Sequence, residues 1–236
     1  MTTPNKNSKG LLSRIWRVAK RVFLILFILQ FVYIFLLKWV NPPITLTEIG
    51  SLLHGDGLKR TYVSTKDISP NARLAVISTD DQLFPDHDGF DFKNIEKAMK
   101  HNQKSKSLHG ASTISQQVAK NVFLWQGRNW IRKGLEVYFT FMIELVWGKK
   151  RILEMYLNVA EMGKGIYGIE AAARFYYHKP AKDLTRLEAA RIASCLPNPK
   201  IYTVKPLSDR VASRSAWALG QMTRLEDDPD IQKLLQ

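Results

Sequence analysis

Residues 22–40, VFLILFILQFVYIFLLKWV, constrain the fold of this chain more than any other stretch. Only Gln30 and Lys38 interrupt their apolar character. A lone segment crossing hydrocarbon must satisfy its own backbone hydrogen bonds, so it has to be a helix. At about 1.5 Å per residue, roughly 20 residues cross a bilayer core. Trp16 and Trp39 flank the run, where indole rings suit the two interfaces. Lys6, Lys9, Arg14, Arg17, Lys20 and Arg21 precede it, a bias that keeps an N-terminus in the cytoplasm. A cleaved leader is the alternative. The long apolar region and the following Asn41-Pro42-Pro43, in place of a small-residue cleavage site, favour an uncleaved anchor. The expected organisation is a basic cytoplasmic tail (1–21), a single membrane-spanning anchor (22–40), a linker or stalk (41–70) and an external domain (71–236).

Strand signals in the rest of the chain are few, so the domain is expected to be mostly α. The stalk carries at most a short strand near 58–63. Arg73 to Ser78 (RLAVIS) reads as a short apolar strand whose end delivers Asp80 and Asp81. Asp91 suits the N-cap of a helix to about Asn102. Gly110 to about Leu124 reads as a loop entering a helix, and further helices are expected at about 132–147, 149–158, 169–177 and 208–225. Thr185-Arg186-Leu187-Glu188 is a capping box opening a helix to Cys195, and Pro197 and Pro199 end it. Cys195 is the only cysteine, which excludes an intrachain disulfide and a cysteine-based zinc cluster. Its apolar setting suits a buried structural thiol.

The formal charge of +14 favours an anionic partner, bearing phosphate, anionic lipid or nucleic acid, or reflects a solvated basic face. Gly110 to Asn121, GASTISQQVAKN, concentrates hydroxyls and amides without an acid and includes one cation, Lys120. Ser112, Thr113, Gln116 and Gln117 can hydrogen-bond sugar hydroxyls or an amide. Lys120 shares a helical face with Gln116 and suits a diphosphate. An ordinary polar helix start is the competing reading. The acidic stretch Asp80 to Asp91 is either a helix-capping loop or a source of a carboxylate poised as general base. His87 between Asp86 and Asp88 is alone, which does not make a metal site. Arg132 and Glu136 are helical neighbours, by themselves no more than an ion pair of about 0.3–0.5 kcal/mol. Asn158, Glu161, Lys164, Tyr167 and Gly168 accompany a glycine-rich turn that reads as structural or as a cleft wall. Phe123, Leu124, Trp125, Trp130 and Ile131 form an aromatic cluster suited equally to a core and to a lip resting on a membrane.

In order, the segments Asp80–Gly89, Gly110–Asn121, Arg132–Glu136, Arg151–Gly168 and Leu187–Pro199 resemble the peptidoglycan glycosyltransferases, glycosyltransferase family 51. The second is close to that family's G-x-S-T-I-T-Q-Q pattern, with Ser115 for the usual Thr. The chain has neither S-x-x-K nor K-T-G, which aligns it with the monofunctional branch rather than with members carrying a transpeptidase domain. The resemblance implies a lysozyme-like, mostly α glycosyltransferase domain on a single N-terminal transmembrane helix. It implies lipid II as substrate and linear glycan strands as product, made by inverting transfer with release of undecaprenyl diphosphate.

By the same resemblance Asp80 is the base and Glu136 the second essential carboxylate. Asp81, Phe84, His87, Gly110, Ser112, Thr113, Gln116, Gln117, Lys120, Asn121, Arg132, Lys133, Asn158, Glu161, Tyr167 and Gly168 contact substrate. No cofactor and no metal ligands are assigned, and a magnesium or manganese ion is a candidate at the diphosphate. The expected partners are lipid II, the growing strand, the bilayer and cell-wall synthesis or division proteins, without nucleic acid. The expected location is a Gram-negative inner membrane with the domain in the periplasm. One departure stands out: the family's first motif begins Glu-Asp, and here the pair is Asp80-Asp81. Two alternatives follow from it and from the fold: an anchored lipid II-binding scaffold with impaired catalysis, and a lytic muramidase.

Overall fold

The computed structural model describes residues 6–104, 110–127 and 129–236, with side chains from residue 13 onward. It divides into two units, one ending at Val40 and the other Asn41–Gln236. Residues 1–5 of the basic tail lie outside the described residues. The first unit is one long helix, α1 (Lys6–Leu36). Its segment Ser13–Leu36, with mean hydropathy 2.1, is long and apolar enough to cross a membrane.

The second unit is mostly α. Its helices are α2 (Leu46–Leu53), α3 (Pro70–Asp80), α4 (Phe92–Lys104), α5 (Ile114–Phe123), α6 (Trp130–Val146), α7 (Lys149–Val159), α8 (Ile169–Tyr177), α9 (Arg186–Cys195), α10 (Asp209–Leu225) and α11 (Pro229–Leu235). A small sheet of β1 (Lys59–Arg60), β2 (Glu161–Gly163) and β3 (Ile166–Tyr167) runs in the order β1-β3-β2. β1 lies parallel to β3, pairing Lys59 with Ile166, and β2 lies antiparallel to it, pairing Glu161 with Tyr167.

Two expectations change here. Arg73 to Ser78 is helical, the central part of α3. The N-terminus of α3 is set by Ser69, whose side chain accepts from the Asn71 N–H, and by Pro70 at the first helical turn. Every residue from Ala72 to Ser78 is buried, so the helix shows no amphipathic period and resembles a fully buried strand in sequence. The second change concerns 41–70, which belongs to the compact unit instead of forming a stalk. Thr45 and Glu48 form a capping box that opens α2. The Thr47 hydroxyl then donates to Asn121 O at 3.0 Å. Val63 is clasped by Asn158, whose amide donates to Val63 O and accepts from Val63 N–H, both at 2.9 Å.

The remaining helix boundaries follow their caps. Asp91 accepts from Asn94 N–H at 2.9 Å ahead of α4, Thr113 and Gln116 box the start of α5, and Thr185 and Glu188 box α9. α3 packs against α9, α10 and α11, and α5 packs against α6 and α7. The C-terminus of α3 and the N-terminus of α5 are therefore the two ends from which the polar motifs project. Cys195 is buried, donates to Met162 O, and burial pushes its thiol up to about 12, as suits a structural thiol.

Candidate active site

Asp80 is the last residue of α3, and Asp81 leaves the helix as its C-cap, with its N–H on Ile77 O. The Asp80 side chain is only 8% exposed. Its Oδ2 accepts from the Tyr156 hydroxyl of α7 at 2.8 Å, and Gln117 Oε1 lies 3.2 Å from that same hydroxyl. Arg214 of α10 stands 3.9 Å from Asp80 Oδ1 and donates to Thr79 O. Burial raises the Asp80 carboxyl above its ordinary range, and Tyr156, Arg214, Thr79 and Gln117 oppose that only in part. Burial, then the Asp80 charge, holds the Tyr156 hydroxyl well above its own range, so it remains a donor.

Asp81 does different work. Its carboxylate accepts from Ile114 N–H at 2.9 Å, at the first turn of α5, and from His87 Nε2 at 3.0 Å. His87 Nδ1 accepts from Gly89 N–H, which places the ring proton on Nε2. The Thr113 hydroxyl donates to Gly89 O at 2.7 Å. Gly89 has φ +89°, and a Cβ there would come within 2.7 Å of Thr140, so only glycine allows this approach. Phe84 is fully buried with Lys149 Nζ 4.7 Å from its ring centroid, and Lys149 also pairs with Glu144. The acidic loop is thus tied to α5 and α6 by Asp81, His87 and Gly89, while Asp80 is left for other partners.

Across the site, α5 and α6 present a cationic group. The buried Glu136 carboxylate accepts from Arg132 at 3.2 Å and from Lys133 at 2.5 Å. Lys120 is pushed down by burial; Glu136 and Asp80 support its charge, while Arg132 and Lys133 oppose it. Lys120 therefore feels both carboxylates at once. A cleft of about 370 Å³ runs beside Asp80 and Asp81, walled by Asp91, Gly110, Ser112 and Thr113 among others.

The residues singled out in the sequence divide by position. Asp80, Gln117, Lys120, Arg132, Lys133 and Glu136 are held in one electrostatic neighbourhood. Gly110 and Ser112 are exposed on the cleft wall. Phe84, Thr113 and Gln116 are buried, the last two within the capping box of α5, so they shape the site from beneath. Asn121 is half-buried, and its carbonyl receives Thr47. Asn158, Tyr167 and Gly168 do not join the group. Asn158 is 1% exposed and its amide is taken by Val63. The Tyr167 hydroxyl, pushed up to about 12 by burial, points to Thr47 O. Gly168 adopts φ +83° against Asn158 O. Glu161, raised by burial, accepts from Gly165 N–H and belongs to a separate ionic group in which Asp56 pairs with Lys164 and Lys200. The aromatic cluster splits. Leu124 is buried and Phe123 stacks on Phe139, whereas Trp130 and Ile131 are 91% and 76% exposed.

A buried acid ends α3, a cationic group stands on α5 and α6, and the polar start of α5 lines the cleft beside that acid. The model of the transglycosylase family matches residues 46–223. The chain belongs to the transglycosylase family. Its domain accordingly has the lysozyme-like glycosyltransferase fold. The chain is 49% identical over 214 residues to the biosynthetic peptidoglycan transglycosylase of Haemophilus influenzae, covering 87% of each chain. It is 52% identical over 190 residues to the Escherichia coli protein of that name, covering 79% of this chain and 78% of the relative. The Mannheimia succiniciproducens protein of that name is 57% identical over 164 residues, covering 70% and 67%.

Tyr156 and Arg214 are neighbours of Asp80 that the sequence did not single out. Tyr156 lies within the segment Arg151–Gly168, which was a usable signal. Arg214 carries no local signal. The candidate divalent cation finds no protein-only ligand set, since no group of three His, Cys, Asp or Glu converges among the described residues. Glu136 already accepts from two cations, Arg132 and Lys133.

Proposed function

We propose that this chain is a peptidoglycan glycosyltransferase that polymerises lipid II into linear glycan strands. The observation that carries the reading is Asp80: a nearly enclosed carboxylate, raised by burial, beside an open cleft and coupled through Lys120 to the Arg132–Lys133–Glu136 group. An alcohol is a weak nucleophile until a base is in reach, and a base with a raised pKa is better matched to neutral pH. Asp80 takes the proton of the acceptor's 4-hydroxyl as its oxygen bonds to C1 of the donor sugar from the opposite face. The C1–oxygen bond to the diphosphate breaks, its electron pair stays on the diphosphate, and the anomeric carbon inverts.

Lys120, Arg132 and Lys133 supply the positive field for that departing charge. Glu136 holds Arg132 and Lys133 in place and keeps the group from repelling itself apart. An arriving diphosphate also favours the charged form of Lys120, offsetting the burial that lowers it. Gly110, Ser112 and Gln117 offer hydrogen bonds to the sugars. Asp81 and His87 position the loop that follows Asp80, and Phe84, Thr113 and Gln116 support the site from beneath. The cationic group favours a diphosphate substrate over finished glycan, which weighs against a muramidase.

The helix over Ser13–Leu36 serves as a membrane anchor, and the basic residues before it favour a cytoplasmic N-terminus with the domain on the periplasmic side of an inner membrane. Trp130 and Ile131 suit contact with lipid near the substrate's tail. Cell-wall synthesis or division proteins are candidate partners. The test is incubation of the detergent-solubilised full-length protein with labelled lipid II. Glycan strands are expected, and their absence across detergents and divalent cations, with no change on Asp80→Glu, would leave the scaffold reading in their place.

A further inference from the structure

α10 carries a feature outside all the motifs. Arg214 donates to Thr79 O at 3.1 Å and stands 3.9 Å from Asp80 Oδ1. One face further along, Gln221 Oε1 accepts from Gln82 Nε2 at 3.2 Å. Both residues touch the C-terminal end of α3, on either side of Asp80. Trp217 lies at i+3 from Arg214 and at i−4 from Gln221, so the three share one side of α10. Trp217 is 45% exposed, and the Arg214 guanidinium sits 5.4 Å from its ring centroid. Its helical neighbours at i−4 and i+3 are Ser213 and Gly220, and Ala216 beside it is exposed, all too small to cover an indole.

We propose that Trp217 is a stacking platform for the acceptor sugar ring, the one whose hydroxyl gives its proton to Asp80. The inference rests on the polymerase reading above. A pyranose presents an apolar face of C–H groups and a rim of hydroxyls. The indole suits the face, and Arg214, Gln82 and Gln221 around it suit the rim. The polar surround argues against a lipid tail as the occupant. Position separates acceptor from donor: the cations for the diphosphate lie on α5 and α6, whereas α10 packs on α3 and α9. A sugar on Trp217 sits on the α10 side of Asp80, linked to it through Arg214 and on a different helix from the cations for the leaving group, an arrangement compatible with inversion.

Two measurements test this on the full-length protein. The first compares lipid II polymerisation at sub-saturating substrate. Trp217→Ala is expected to lower the rate about five- to tenfold, the size of one lost aromatic stacking contact, while Trp217→Phe stays within about threefold of the parent. The second follows the Trp217 indole N–H resonance in the Asp80→Asn protein, assigned by its loss in Trp217→Phe, as the lipid-free disaccharide of the same sugars is added. A shift of that resonance supports the platform. Unchanged polymerisation by Trp217→Ala, equal loss in Trp217→Phe and Trp217→Ala, or an indole that does not respond each overturns it. A parent protein that makes no glycan refutes the polymerase reading itself, a separate result.

Discussion

Asp80→Asn should inactivate the enzyme and stabilise it at the same time. The substitution keeps shape and volume. The Tyr156 hydroxyl can still donate to the amide oxygen, so the contact seen at 2.8 Å survives. What disappears is the base, and general-base assistance contributes about 10²- to 10⁴-fold to rate, roughly 3–5 kcal/mol of barrier. The stability change has the opposite sign. Asp80 has a folded-state pKa raised above the unfolded value by burial. Between those two values the folded protein binds more protons than the unfolded one, so stability falls as pH rises through that window. The loss is complete above the folded pKa, where the charge is held in an enclosed site. Asparagine carries no such charge and escapes the loss.

The expected result at neutral pH is a higher melting midpoint for Asp80→Asn, about 2–4 °C for each kcal/mol recovered in a domain of this size. The gain should shrink as pH is lowered and vanish below the ordinary carboxylate range. The assay pairs lipid II polymerisation with thermal unfolding at several pH values. An inactive variant with a lowered midpoint at neutral pH would contradict the burial argument. A variant that polymerises normally would remove Asp80 from the base role.

Other outcomes follow from neighbouring contacts. Asp80→Glu, which restores the residue usual in the family, is expected to keep or raise polymerisation; a loss of about a hundredfold, the scale of a 1 Å misplacement, would mean that the backbone here is built for the shorter acid. Tyr156→Phe removes a hydrogen bond that favours the charged form of Asp80, so the acid limb of the kcat/KM profile should move to higher pH, and an unmoved limb would deny Tyr156 its positioning role. Gly168→Ala should lower the melting midpoint by an amount corresponding to about 1–3 kcal/mol, since the residue sits at φ +83° with Asn158 O 2.6 Å from where the Cβ would be, and a neutral result would refute the claim of strain.

Much of the helical framework was readable where chemistry marks an end. Thr185 and Glu188, and Asp91, are local signals, and each sets a helix start in the structure; Thr113, read as a sugar-binding hydroxyl, turns out to be the cap of α5. The failures share a cause. Periodicity reports a difference between two faces, and α3 has none because it is enclosed on all sides. The Ser69-Pro70 start lies just outside the apolar run Arg73–Ser78. The capping box of Thr45 and Glu48 was likewise present in a stretch judged to lack period, and it opens a helix that joins the domain. In the candidate site, residue types suited to sugars and phosphates pointed to Gln117 and Lys120, and the family resemblance to Asp80 and Glu136; the structure brings these residues into one neighbourhood. Asn158, Tyr167 and Gly168, singled out with them, stand apart from that group, and their polar groups or torsions serve the backbone beside them.

The sequence alone determined an apolar helix of membrane-spanning length, a mostly helical domain, the order of the motifs and the family they resemble. Those properties depend on neighbours a few residues apart. Only the tertiary structure decided which partners each acid meets. Asp80 and Asp81 are adjacent in the chain, yet one faces Tyr156 and Arg214 and the other faces His87 and Ile114 N–H. Desolvation and charge act through space, across separations such as the 76 residues between Asp80 and Tyr156. A residue's type fixes what proton chemistry it can do, and its packed surroundings fix whether it does that chemistry near neutral pH.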